Sequence, residues 1–240
     1  EFQLARQIQK TFLPEKMPDI PGYEIAVQWQ TARDVGGDFY DVFDVKPGYT
    51  GLVIADVSDK GLPASLYMTV SRTLIRAIAL EDLTPAQTLE RVNHLLQLDS
   101  TQGFFVTAFY GVLEQATGKM EYCIAGHNPP YFLSYAQEKV SQFPRGGIAL
   151  GAMDPIQLPN ETIQFEHGDA CALFTDGITE TFDPRGLPFG NQRFERALAK
   201  GINASAQDIL DIVEQDVALF RAEAPTSDDT TLLVIKRLHD

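Results

Sequence analysis

The chain has 240 residues, 44% of them hydrophobic, with 19 basic side chains against 33 acidic ones and a formal net charge of −14. That is ample apolar material for a core, and the acidity argues against a nucleic-acid partner, because a phosphate backbone is met by clustered Lys and Arg. No run approaches the roughly 18 apolar residues of a membrane-spanning helix, and the amino terminus lacks a signal peptide's basic and apolar regions, so the chain reads as soluble and cytoplasmic.

Residues 2–13 place Ala5, Ile8 and Phe12 at the three- and four-residue spacing of a coiled coil, before Pro14 and Pro18 stop the helix. The chain opens inside this pattern without methionine, so 1–13 is expected to be a linker or regulatory helix from a longer protein, with any sensor or membrane tether upstream. Residues 14–240 are expected to form one domain. Segments 23–30 and 38–45 alternate apolar with polar and predict strands, separated by the TARDVGGD stretch, whose paired glycines allow a close approach of backbone to an ion. The run Leu52-Val53-Ile54-Ala55 predicts a strand buried on both faces that breaks into Asp56-Val57-Ser58-Asp59. A helix over 62–80 follows, with Pro63 in its first turn and Leu62, Leu66, Val70, Leu74 and Ile78 forming a row along one face. Thr84-Pro85-Ala86-Gln87 carries the signature of a capped second helix.

Strands are predicted from Phe104 to about Phe143, with a hairpin over Gly111 to Gly118 and a turn at Ala125 to Pro130. Residues 144–160, rich in Gly and Pro, predict a long surface loop. ACALFT (170–175) repeats the buried strand that runs into acid, here Asp176. Helices are predicted over 191–200 and over 205–222, the latter capped by Ser205, and a last strand over Thr231 to Ile235 follows Asp228-Asp229. Cys123 and Cys171 sit in apolar runs without metal spacing and read as reduced core thiols.

Asp38, Asp56, Asp176 and Asp228 (or Asp229) thus lie at the ends of apolar strands. Aspartate is also a common turn and cap residue, which accounts for Asp19, Asp82, Asp99, Asp154 and Asp183. Four carboxylates ending strands are harder to explain as turns, and hard oxygen ligands suit Mg²⁺ or Mn²⁺. Two such ions about 4 Å apart can acidify a bridging water and clamp a phosphoryl group for in-line attack. A phosphatase using an aspartyl nucleophile is the rival chemistry, but it wants an Asp-x-Asp pair where this chain has Asp56-x-x-Asp59.

VGGDFYD (35–41), ADVSDKGLPA (55–64), TAFYGVL (107–113), AGHNPP (125–130), FTDGITE (174–180), the Phe189-Gly190 and Arg193-Phe194 pairs, and SDDTTLLVI (227–235) occur in the order found in the SpoIIE-type branch of the metal-dependent PPM serine/threonine phosphatases, which this chain resembles over nearly its whole length. LARQIQKTFLP resembles the helix that precedes such domains. The resemblance implies an α+β fold, an αββα sandwich of two antiparallel sheets flanked by helices. It implies hydrolysis of phosphoserine or phosphothreonine by a metal-activated water, with an anti-sigma-factor antagonist as substrate. Two Mn²⁺ or Mg²⁺ ions are the implied cofactors. Asp38 and Asp56 are the implied carboxylate ligands, with Asp56 bridging, the Val57 carbonyl completing one shell, and Asp176 and Asp228 from the later strands; Asp229 is the reserve for Asp228. Asp59 stands where many relatives have glycine, and reads either as a ligand of an extra ion through water or, the preferred reading, as a cap for the helix from 62. Arg33 reads as a phosphate-binding group or as one side of a surface salt bridge. His127 reads as a loop-holding residue in preference to a general acid. Relatives of this type are switched by a preceding region, which implies an upstream sensor and a homodimer through the N-terminal helix. The alternative function is a catalytically silent binding module of the same fold.

Overall fold

The structure is a computed structural model that describes residues 2–99 and 103–239, so Glu1 of the N-terminal segment lies outside the described residues. In chain order the elements are α1 (Phe2–Phe12), β1 (Tyr23–Gln30), β2 (Phe39–Lys46), β3 (Tyr49–Val57), α2 (Leu62–Ile78), α3 (Pro85–Asp99), β4 (Val106–Glu114) and β5 (Lys119–Ala125). They continue with β6 (Tyr131–Ser134), β7 (Lys139–Gln142), β8 (Glu161–Gln164), β9 (Ala170–Phe174), α4 (Asp176–Thr179), α5 (Gly190–Lys200), α6 (Ala206–Arg221) and β10 (Thr230–Arg237). Two antiparallel sheets, each flanked by helices, result, in the orders β1-β10-β9-β6-β7 and β2-β3-β4-β5-β8. Each sheet belongs to its own compact unit, and the chain enters each unit three times.

The first unit, residues 1–18, 33–128 and 145–164, holds the β2-to-β8 sheet with α1, α2 and α3. Its centre is β3, whose residues Leu52 to Ala55 are at most 1% exposed because β2 and β4 pair with it on both sides. The predicted apolar row of α2 is buried only toward its C-terminal end: Leu62, Leu66 and Val70 are 41%, 62% and 50% exposed, Leu74 is half-buried, and Ile78 alone is buried. Ala64, Ser65, Met68, Ser71 and Ile75 face inward with Ile78, and the small Ala64, Ser65 and Ser71 among them let the helix axis approach the sheet. An ion cluster fixes the helix there. The carboxylate of Asp41 in β2, 1% exposed, meets Arg72 Nη2 at 2.7 Å and Arg76 Nη1 at 3.0 Å, and the Arg76 guanidinium also lies over the Phe43 ring. Burial pushes the Asp41 carboxyl above its ordinary range, and the two guanidiniums oppose that shift. At α3, Thr84 N–H donates to Gln87 Oε1 and Gln87 N–H donates back to Thr84 Oγ1, the reciprocal cap that the sequence predicts. The 144–160 stretch is less of a surface loop than expected: Leu150 and Leu158 are buried, and Leu150 exchanges two backbone hydrogen bonds with Val106.

The second unit, residues 19–32, 129–144 and 165–240, packs α5 and α6 on the β1-to-β7 sheet. Phe194 of α5 lies against Phe174 of β9 at 4.6 Å with the rings tilted by 58° and meets Tyr131 of β6 edge-on at 5.4 Å, with Ile209 and Val213 of α6 among the cluster. Ser205 caps α6 by accepting from Asp208 N–H. Across the β1 and β10 pair, Glu24 lies opposite Lys236; the Glu24 carboxylate accepts from Ala206 N–H, and the buried Lys236 Nζ donates to the Ala204 carbonyl at 2.7 Å and the Ile202 carbonyl at 3.4 Å. The α5-to-α6 turn is therefore tied to the sheet by one carboxylate and one ammonium. Cys123 in the first unit and Cys171 in the second are free and buried, and burial pushes the Cys123 thiol up to about 12 and Cys171 further, which makes both poor nucleophiles.

Candidate metal centre

The first unit assembles the VGGD loop, the end of β3 and the start of α2. Phe39 pairs with Ala55, and one step beyond the paired segment the same register brings Asp38 level with Asp56. Strand alternation puts these two carboxylates on the face opposite Asp41 and its arginines. Asp38 is 1% exposed and Asp56 is half-buried. Like charges opposite one another on a ladder repel, and a cation between them removes that cost. A Cβ on Gly37 would stand 2.9 Å from the Val57 carbonyl oxygen, so only glycine lets the loop close against that oxygen. Three oxygen donors of the predicted set, Asp38, Asp56 and Val57, are thus brought together within one unit. All are hard ligands, so the donor chemistry fits Mg²⁺ or Mn²⁺.

The surroundings of this trio are built by residues that sequence reasoning passed over. The side chain of Gln9 in α1, 3% exposed, bonds both backbone groups of Gly36: its Nε2 donates to the carbonyl at 2.6 Å and its Oε1 accepts from the N–H at 3.2 Å. Thr107 lies opposite Asp56 on β4, its Oγ1 3.4 Å from the Asp56 carbonyl and 2.9 Å from His127 Nδ1. A signal for Gln9 was present as a polar residue beside the apolar row of α1, and Thr107 opens the TAFYGVL motif. Beyond Val57, Ser58 N–H donates to the Phe105 carbonyl and Ser58 Oγ accepts from Phe105 N–H.

Asp59 departs from the preferred reading. The N-cap of α2 is Gly61, which has no side chain to accept from the first turn, while the Asp59 carboxylate accepts from the next residue's N–H, Lys60. Its φ is +78°, a left-handed conformation that explains why glycine suits this position and why Asp, which tolerates that region, replaces it. Arg33 is exposed, with Nη1 3.8 Å from where a Gly61 Cβ would be, at the N-terminal end of the 17-residue α2. Among the described residues Arg33 forms no ion pair, so the surface salt bridge is not made. His127 is 5% exposed and hydrogen-bonded, in line with the loop-holding reading.

In the second unit, Thr175 N–H donates to the Thr231 carbonyl and Thr231 N–H to Thr175 Oγ1, which fixes the end of β9 beside the start of β10. The backbone of Asp229 lies where a Cβ on Gly177 would be, so Asp176-Gly177 and Asp228-Asp229 are in contact. Asp229 is buried and its Oδ1 accepts from Ala32 N–H at 2.8 Å, whereas Asp228 is half-buried and its Oδ1 accepts from Asp229 N–H. Asp229 thus tethers the chain after β1 through Oδ1, and Asp228 is the more exposed of the two. Among the described residues, no group of three or more His, Cys, Asp or Glu side chains stands in a metal-holding arrangement.

Residues 46–238 match the family model described as Stage II sporulation protein E (SpoIIE), a stretch that contains Asp56, Asp176 and Asp228 and begins after Asp38. The chain is 28% identical over 264 residues to Protein IcfG of Synechocystis sp. (strain ATCC 27184 / PCC 6803 / Kazusa), covering 99% of this chain but 41% of that protein, so it spans less than half of that relative's length. It is 26% identical to Phosphoserine phosphatase RsbU of Bacillus subtilis (strain 168), covering 99% of this chain and 70% of that protein. Among solved structures, the SiaA-PP2C domain of Pseudomonas aeruginosa matches with a TM-score of 0.88 at 20% identity, covering 98% of this chain and 95% of that one.

Proposed function

This chain belongs to the SpoIIE family of PP2C-type protein serine/threonine phosphatases, and we propose that it removes the phosphoryl group from a phosphoserine or phosphothreonine of a small antagonist of an anti-sigma factor. The observation that carries the reading is the opposition of Asp38 and Asp56 beside the Val57 carbonyl, an arrangement of oxygens that calls for a cation. Asp38, Asp56, Val57, Asp176 and Asp228 are the proposed ligands of two Mn²⁺ or Mg²⁺ ions. Such ions supply neutralisation of phosphoryl charge and acidification of water for in-line attack. The chain's own residues do the rest. Gln9 and Gly37 hold the loop that carries Asp38, and the Ser58 and Phe105 pair holds the turn after Val57. The exposed Arg33 guanidinium, beside the N-terminal end of α2, binds two phosphate oxygens of the substrate side chain, where the helix end also favours an anion.

Control enters through residues 1–13 from an upstream sensor, in a cytoplasmic enzyme. What supports this is the Gln9 clamp on Gly36 together with the exposure of Leu4 and Ile8, 60% and 51%, apolar side chains on a helix that a second copy can cover. No helix among the described residues is long and apolar enough to cross a membrane. The test is hydrolysis of p-nitrophenyl phosphate and of a phosphorylated antagonist protein, with and without Mn²⁺. Release of phosphate only in the presence of the metal is expected. Phosphoprotein binding without release at saturating Mn²⁺ would instead make the chain a silent binding module.

A further inference from the structure

Three motifs of the sequence, ADVSDKG, TAFYGVL and AGHNPP, meet at one point of the first unit. Thr107 is paired with Asp56 across the β3 and β4 ladder, and its hydroxyl stands between the Asp56 carbonyl, at 3.4 Å, and His127 Nδ1, at 2.9 Å. His127 is held firmly where it is. It is 5% exposed, and the preceding Gly126 has φ +69° and sits so tightly against Ala149 that a Cβ would come within 2.8 Å of it. Gly126 N–H also donates to the Gly147 carbonyl, and Gly147 N–H donates to the Ile124 carbonyl, so the turn is pinned from the 145–150 stretch.

We propose that Thr107 and His127 are positioning residues for the Asp56–Val57 peptide, an inference that rests on the metal-centre reading above. A threonine hydroxyl has one proton to give. If His127 carries its proton on Nδ1, that N–H donates to Thr107 Oγ1, and the hydroxyl proton is left to point at the Asp56 carbonyl. The other tautomer would draw the hydroxyl proton to the ring and leave the Asp56 carbonyl without it. Successive carbonyls of a strand point to opposite edges. Pairing with Thr107 directs the Asp56 carbonyl toward β4, where the hydroxyl offers it a second donor, and so turns the Val57 carbonyl toward the other edge, where it lies against Gly37. The relay steadies the direction that the ladder gives to a proposed ligand oxygen, without touching the ion. Neither residue donates or accepts a proton in the reaction.

The experiment is calorimetric titration of Mn²⁺ into the full chain without substrate, alongside melting of the metal-free protein. Thr107→Val, which keeps the shape and loses the hydroxyl, is expected to weaken Mn²⁺ binding by about 10–100-fold, the range for outer-shell partners of a ligand. The metal-free melting temperature is expected to move by no more than about 4 °C. Thr107→Ser is expected to restore binding. His127→Asn is expected to weaken it as Thr107→Val does, and the double variant to be no worse than either single one, because both cut the same relay. His127→Asn carries the test by itself if Thr107→Val fails to fold. A lowered melting temperature with unchanged Mn²⁺ affinity in these variants would overturn the relay and leave only packing. The metal-centre reading fails separately: it is lost if the unsubstituted chain binds no Mn²⁺ or if Asp56→Asn binds it as well as the unsubstituted chain does.

Discussion

Asp56 and Asp59 stand three residues apart and illustrate two different uses of a carboxylate. Asp56 ends a strand buried on both sides and is opposed by Asp38, and in the proposed reading a cation shares the two like charges. Asp56→Asn and Asp176→Asn are each expected to reduce turnover by more than about 100-fold, beyond the 10–100-fold typical of residues that only support a ligand. Metal-free stability in Asp56→Asn should stay level or rise, because one member of a repelling pair is neutralised. Phosphate release at saturating Mn²⁺ and thermal melting without it check the two halves, and near-normal turnover in either variant would sink the assignment. At Asp59 the backbone, not the charge, decides: φ is +78°. Asp59→Gly should fold at least as well as the parent, while Asp59→Val should lose about 1–2 kcal/mol, the cost of forcing a branched side chain into the left-handed region. Urea denaturation of the pair measures this, and equal stabilities would show that the loop relaxes to another conformation.

At the scale of elements, α1 and the β1 and β10 pair carry the consequences that can be measured. Ile8 is 51% exposed, so Ile8→Asp should change unfolding free energy by no more than about 0.5 kcal/mol. Its effect should appear in self-association and in the Mn²⁺ dependence of turnover. Gln9 lies one position on and faces inward; Gln9→Ala strips the Gly36 N–H and carbonyl of their partners and should cost about 1–3 kcal/mol. Light scattering and denaturant melts separate the two residues, and an unchanged mass with an unchanged Mn²⁺ profile for Ile8→Asp would confine α1 to packing. Lys236 offers a test by pH. Burial holds its ammonium below the ordinary lysine value, against the attraction of Glu24 and Asp169. A base with a depressed folded pKa releases its proton earlier when folded, so the burial cost is present at neutral pH and fades as pH rises through the folded value toward about 10.4. Lys236→Met, which leaves the Ile202 and Ala204 carbonyls without their donor, should therefore be less stable than the parent by about 1–3 kcal/mol at pH 7, with the gap widening in alkaline solution. A gap that narrows there would refute the assignment of the shift to burial.

Across the whole molecule, what could be read in the sequence was whatever a short window contains. The strands at 23–30, 52–57 and 170–174 follow from apolar runs and alternation, and the Thr84 and Gln87 cap and the Ser205 cap from local spacing. The acids at strand ends were legible for the same reason, since each needs only the run before it. Sheet membership was not: the strands on either side of AGHNPP look like one continuous block, yet β5 and β6 belong to different sheets. The polar, largely exposed β8 (Glu161–Gln164) has no pattern of its own and exists because β5 offers it an edge. On α2 a conspicuous leucine row drew attention from the small residues that in fact face inward. Gln9 and Thr107 were missed because their importance lies in partners that are distant in sequence, Gly36 and His127.

The pairing of β1 with β10, Tyr23 opposite Arg237 through to Gln30 opposite Thr230, sets a timetable for making the protein. Residues 23–30 leave the ribosome some 200 residues ahead of their partner strand, by the same register. At about 5–20 residues per second, β1 waits roughly 10–40 s with its hydrogen-bonding edge open. During that interval a Val, an Ile and a Trp (Ile25, Val27 and Trp29) are available to any passing strand, which makes this segment the place for a chaperone to bind and the place where overproduction should aggregate first. Synthesis at lower temperature should not shorten the wait, but co-expression of a holdase should raise the yield of folded chain. Removing the codons for β10 should send nearly all of the product into the pellet, although the sequence of the other described strands is untouched.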